Sequence, residues 1–166
     1  MKEFFKNIPT KLFITILSAL LFTVILSVRH AGFMLTFFIP IFIVWALGVS
    51  VKSIKSKENI KVNLLRIGVW ALAIVIAFSV QYYRHTSARN VANEIVLKIE
   101  NYKEKTGDYP LTLSDINIPK RELKDKLGMA GYFYEKKKIS FFYAATHIPF
   151  DVYRYDFKRK FWVFSP

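Results

Sequence analysis

The sequence predicts a membrane protein with three transmembrane α-helices followed by a small extracytoplasmic α+β domain. In that domain a long helix packs on an antiparallel sheet of three or four strands. Three observations predict this. Apolar residues concentrate in three stretches within residues 1–83. Acids segregate the other way, with only Glu3 and Glu58 in residues 1–83 and the other ten in 84–166. After Gly107, helical spacing gives way to short aromatic-rich runs separated by lysines. Composition also excludes classes. With 53% hydrophobic and 17% aromatic residues among 166, the chain has the apolar surface that disordered chains lack. Without cysteine it has no disulfide framework, thiolate metal site or cysteine nucleophile.

A helical span takes about 20 residues, with a range of about 17–25. Segments 12–28 and 31–51 are uncharged and qualify directly. The third, 62–83, is purest over 67–80 and contains Arg66, whose long side chain can snorkel toward the headgroups. Pro40 is expected to kink the second helix. The basic start (Lys2, Lys6, Lys11) fits a signal-peptide n-region. The apolar run after it is too long for an h-region, however, and Ser27-Val28-Arg29-His30 offers no small-x-small cleavage pattern. A retained anchor is expected.

Orientation follows from basic residues near the span ends. Lys2, Lys6 and Lys11 precede the first span, and Lys52, Lys55, Lys57, Lys61 and Arg66 surround the second connection. The first connection has only Arg29 and His30. The N-terminus and second connection are therefore expected in the cytoplasm, with everything after Tyr83 outside. The missing cysteines agree with an oxidising compartment there. The span interiors lack Asp, Glu and His, groups that ion-coupled transporters and charge-selective pores need at depth. Thr15, Ala19, Thr23 and Ser27 form a small-residue stripe. It suits close packing against the chain's own spans, or a seam for a partner's helix.

Residues 84–166 form the second domain. Ala88, Val91, Ala92, Ile95, Ile99 and Tyr102 fall at offsets 0, 3, 4, 7, 11 and 14, one face of a helix. No Gly or Pro intervenes between Gly68 and Gly107, so the third span is expected to continue into this helix and stop at Gly107. A turn and connector follow over 108–116, then a short helix over 120–127 after Pro119. Runs 132–134, 139–144, 150–157 and 161–164 read as strands, with an alternation slip at Val152-Tyr153 that allows a bulge. A meander laid on the amphipathic helix buries both apolar faces.

An apolar span running into an amphipathic helix, then Tyr102-Lys103-Glu104-Lys105-Thr106-Gly107-Asp108-Tyr109-Pro110, resembles the type IV pilin and type II secretion pseudopilin pattern. Gly107, Tyr109 and Pro110 carry the motif, and the likeness covers roughly residues 67–166. Those families have a Glu near the start of the hydrophobic stretch; 67–80 has none, and two further apolar segments precede it. The resemblance therefore implies a pilin-like head fixed to a three-helix anchor in the bacterial cytoplasmic membrane.

No catalytic motif, phosphate-cradling glycine loop or dinucleotide fingerprint is present, and His30, His85 and His147 lie far apart in sequence. No enzyme activity, cofactor or metal is expected. Asp151 and Asp156 lack the dense oxygen-ligand loop that Ca²⁺ prefers and read as surface carboxylates. The candidate partner-binding residues are the basic clusters Lys136, Lys137, Lys138 and Lys158, Arg159, Lys160. They suit an acidic partner or a membrane surface more than nucleic acid; the alternative reading is that they protect hairpin turns and sheet edges from aggregation. The expected role is binding another envelope protein, as an immunity protein against a membrane-acting toxin or as a secretion or pilus accessory. An assembling pilin-like subunit and a small oligomeric channel or transporter are the alternatives, with homo-oligomerisation left open.

Overall fold

The computed structural model describes residues 9–56, 60–135 and 138–166. The chain forms two compact units that part between Tyr82 and Tyr83.

The first unit contains α1 (Thr10–Leu26), α2 (Met34–Ser56) and the beginning of α3 (Ile60–Thr106). Stretch Met34–Lys55 and helix α3 are long and apolar enough to cross a membrane; α1, with 17 residues, is a shorter apolar helix. It stops at Leu26, short of the expected 28. Val28 N–H already bonds to Ile25 O at 3.1 Å, and His30 takes a left-handed φ of 67°. Helix α2 starts later than 31 and runs past 51, and it continues through Pro40.

The helices of this unit meet along Leu26, Leu35 and Ala77, with Phe22, Ile39 and Ile74 packed around them. Phe22 sets its edge on Phe38 at 4.8 Å and on Trp70 at 5.2 Å. Polar contacts add to the packing. Asn63 Nδ2 donates to Ser53 Oγ at 2.8 Å, joining α3 to α2. Buried Gln81 donates from Nε2 to Leu26 O at 2.6 Å, a carbonyl that the end of α1 leaves without a helical donor, and to Val28 O at 2.9 Å, which also accepts from Ala31 N–H at 3.2 Å. The outward positions, among them Leu17, Leu21, Val44, Leu47, Leu72 and Val75, are apolar and exposed.

In the second unit α3 ends at Thr106, where Gly107 takes φ 85° and its N–H bonds back to Lys103 O at 2.8 Å. A 3₁₀ turn (Leu113–Ile116) follows, held by the Thr112/Asp115 capping box. Next comes α4 (Lys120–Leu127). Strands β1 (Ala130–Glu135), β2 (Lys138–Ala144), β3 (Val152–Asp156) and β4 (Phe161–Ser165) pair antiparallel in the order β1-β2-β3-β4. The meander is thus four-stranded.

Side chains alternate along each strand, so register sorts them by face. Phe141 pairs with Tyr132 and Tyr155, and Tyr155 with Trp162. These share one core with Ala88, Ala92, Ile95, Val96 and Ile99 of α3, closed at the side by Ile118, Leu123 and Leu127. The slip at Val152-Tyr153 makes no bulge. Pairing is continuous from Val152 to Asp156, with Val152 on the outer face, and Phe150 stands before the strand begins.

Candidate functional site

Half-solvated antiparallel sheets alternate apolar and polar residues; strands with apolar residues on successive positions are normally covered on both sides. Here the strands are aromatic on both faces, and among the described residues α3 covers one. On the other lie Phe133, Phe142, Phe161 and Val163, and three of these are open, at 61%, 45% and 41% exposure for Phe133, Phe161 and Val163. Phe142 lies flat across its register partner Gly131 and stacks on Phe133, with centroids 6.1 Å apart and planes at 16°. A Cβ at Gly131 would meet the Phe142 ring at 2.6 Å, so glycine is what lets this pair of rings form. Exposed Arg154 sits between Phe142 and Val163 in register. Aromatic rings around an arginine are the composition of interface hot spots.

The meander puts the β1–β2 and β3–β4 turns at one end of the sheet. Lys138, Lys158, Arg159 and Lys160 are exposed there, and Lys136 and Lys137 lie outside the described residues. Asp156 shapes the second turn. Its Oδ1 accepts from the N–H groups of Lys158 at 2.9 Å and Arg159 at 3.0 Å, and its backbone O accepts from Lys160 N–H at 2.7 Å. The Arg159 N–H bond leads in holding its carboxyl below the usual range. Lys160 is left-handed, at φ 58°.

The β2–β3 loop, at the opposite end, is closed by Ala145 N–H on Asp151 O at 2.8 Å. It holds Phe150 at φ 73° and 94% exposed, a costly conformation for a bulky side chain and one that presents its ring to solvent. The same loop brings His147 onto His85 of α3, ring centroids 5.6 Å apart, with Tyr153 at 5.4 Å from His85. Arg89, one turn further along α3, lies over the rings of Tyr153 (5.4 Å) and Trp162 (5.0 Å). Burial, then the neighbouring His147 and Arg89, lower the His85 pKa; burial lowers that of His147, opposed by Asp151. His85 Nδ1 and Thr146 Oγ1 are buried here without hydrogen-bond partners among the described residues.

Gly107, Tyr109 and Pro110 build the corner between helix and sheet. Tyr109 accepts from Lys103 Nζ at 3.0 Å and packs on Tyr134 and Phe157. Buried Pro110 accepts from Tyr132 OH at 2.6 Å, and Tyr134 OH donates to Asp108. In the first unit, Thr15 and Ala19 are buried, Thr23 is half-buried, and Ser27 caps α1. Thr15 and Thr23 hydroxyls donate to Lys11 O and Ala19 O, each at 2.8 Å. Among the described residues, no three His, Asp or Glu side chains converge as a metal site.

Sequence reading favoured the basic turns and passed over the outer sheet face and the His85–His147 contact. The unbroken aromatic runs were the available signal for the first; only the β2–β3 loop makes the second. Comparison with protein-family models, curated proteins and solved structures finds no match.

Proposed function

We propose that this chain is a non-enzymatic protein of the bacterial cytoplasmic membrane. Its head, a pilin-like α+β domain held outside the membrane, binds another envelope protein. The observation that carries this reading is the outer sheet face. An outer face with Phe133, Phe161 and Val163 open beside Phe142 and Arg154 supports reading it as an interaction site. The basic turn at Lys158–Lys160 adds charge complementarity toward an acidic partner. Membrane insertion is supported by the apolar outward residues of α1, α2 and α3, which water would leave as a large exposed hydrophobic surface. The lysine distribution supports a cytoplasmic N-terminus.

The partner is a membrane-acting toxin, for which this chain serves as immunity protein, or a component of a secretion or pilus machine. A photo-reactive amino acid placed at Phe133 or Val163 in living cells, with mass spectrometry of the adducts, tests the reading. A toxin or a secretion subunit is the expected adduct, absent when the probe replaces inward-facing Trp162. Adducts to a second copy alone support the assembling-subunit reading instead. No adduct from either outer position overturns the docking face.

A further inference from the structure

We infer that the groove between the helices of the first unit is a binding site for an anionic phospholipid, with Arg66 holding the headgroup phosphate. The inference rests on reading this unit as membrane-spanning. The groove has a volume of about 400 Å³ and is lined almost wholly by apolar and aromatic side chains, with Arg66 at one end. That volume lies within the range of about 300–1,000 Å³ for small-molecule sites. Arg66, Trp70 and Ile74 recur every four residues, so the wall they make on α3 is about 12 Å long. Phe22 and Phe38 line it as well.

The guanidinium is fixed in place. Its Nε donates to Thr15 Oγ1 at 3.1 Å, its Nη1 to Asn63 Oδ1 at 3.3 Å, and it lies 5.6 Å from the Trp45 ring centroid. Thr15 is in turn tied to Lys11 O and Asn63 to Ser53. Every one of these partners is neutral. Neither α1, α2 nor the part of α3 up to Tyr83 contains Asp or Glu, so no carboxylate within these helices neutralises Arg66. A cation beside lipid with no counter-ion among the described residues is costly, and a phosphate supplies both the opposite charge and acceptors for the remaining N–H groups. An acyl chain fits the apolar remainder. A zwitterionic headgroup brings its own cation beside its phosphate and gains less. The positive-inside orientation puts Arg66 on the anionic cytoplasmic leaflet, where basic pockets between spans bind such headgroups.

The test uses the full chain extracted in detergent, with native mass spectrometry against phosphatidylglycerol and phosphatidylcholine of equal acyl chains. The expected result is about tenfold tighter retention of phosphatidylglycerol, the factor one charge-assisted contact supplies. Arg66→Gln should abolish the difference. Ser18→Phe, at an exposed position lining the groove, should keep the arginine but weaken retention of both lipids. Equal retention by the unaltered chain, or a preference that survives Arg66→Gln, overturns the site. A lipid-free dimer gives the groove to a second copy and also overturns it. If Arg66→Gln does not fold, Ser18→Phe decides: unchanged phosphatidylglycerol retention overturns the inference. Recovery of the unaltered chain without detergent contradicts the membrane reading itself. A detergent-requiring chain without lipid preference contradicts only the lipid site.

Discussion

Replacing Phe141 and Phe133 separately by alanine compares the two faces of one sheet. Phe141 is 0% exposed, between α3 and the Trp162 ring at 5.8 Å. Truncating such a residue costs about 3–5 kcal/mol, since lost transfer energy and a cavity add. Phe133 is 61% exposed, so roughly two-fifths of its surface is buried, with the Phe142 ring stacked on it. Complete burial of such a side chain is worth about 1.5–3 kcal/mol, which leaves about 1 kcal/mol here. Hydrogen exchange of the β2 and β3 amides in the full chain, read by mass spectrometry in detergent, measures the opening of the sheet. Phe141→Ala should accelerate it by about 10²–10⁴-fold and Phe133→Ala by about fivefold. Phe133→Ala should nevertheless remove the partner from cross-linked complexes. Equal acceleration by the two changes would show that the outer face is covered within this chain, and the docking argument would fail.

Acidification should loosen the head. His85 and His147 have pKa values below the ordinary imidazole value, so their neutral forms are favoured by folding. Above pH about 6.5 they are neutral folded and unfolded and contribute no pH dependence; below it the unfolded chain takes up protons first and the fold weakens. The guanidinium midpoint of the near-ultraviolet circular dichroism should fall from pH 7.5 to 5.5, and a His85→Asn/His147→Asn pair should flatten that fall. Gly131→Ala should destabilise the sheet by about 1–3 kcal/mol by displacing the Phe142 ring. Adding Phe142→Ala should cost less than the sum of the two single changes, which a double-mutant cycle reads directly. Gln81→Leu should cost the first unit about 1–3 kcal/mol by orphaning Leu26 O and taking from Val28 O one of its two donors, seen as a lower melting temperature in detergent.

Periodicity made much of the second unit legible. Ala88, Ala92, Ile95 and Ile99 are buried as their spacing requires, and the left-handed Gly107 ends the helix. Val96 lies off that stripe and is also buried, because a broad sheet covers a wider sector of the helix than one row of residues. The end of α1 was hidden, since the apolar run continues through Val28 while the backbone turns at Ser27. The candidate site was read least well. Lysine runs announce themselves in a sequence, whereas an exposed Phe133 looks like core until the Phe133–Ser140 register assigns it outward. Likewise His85 and His147 meet only through the geometry of one loop.

Site-specific cysteine labelling tests the central claim most directly, because the chain has no cysteine of its own. Phe150→Cys, at an exposed loop position of the head, and Lys55→Cys, at the end of α2, are introduced one at a time. A membrane-impermeant maleimide is then applied to intact and to lysed cells. With the head held outside, Phe150→Cys reacts in intact cells and Lys55→Cys only after lysis. The reverse pattern, or labelling of both only after lysis, contradicts a head that faces the envelope.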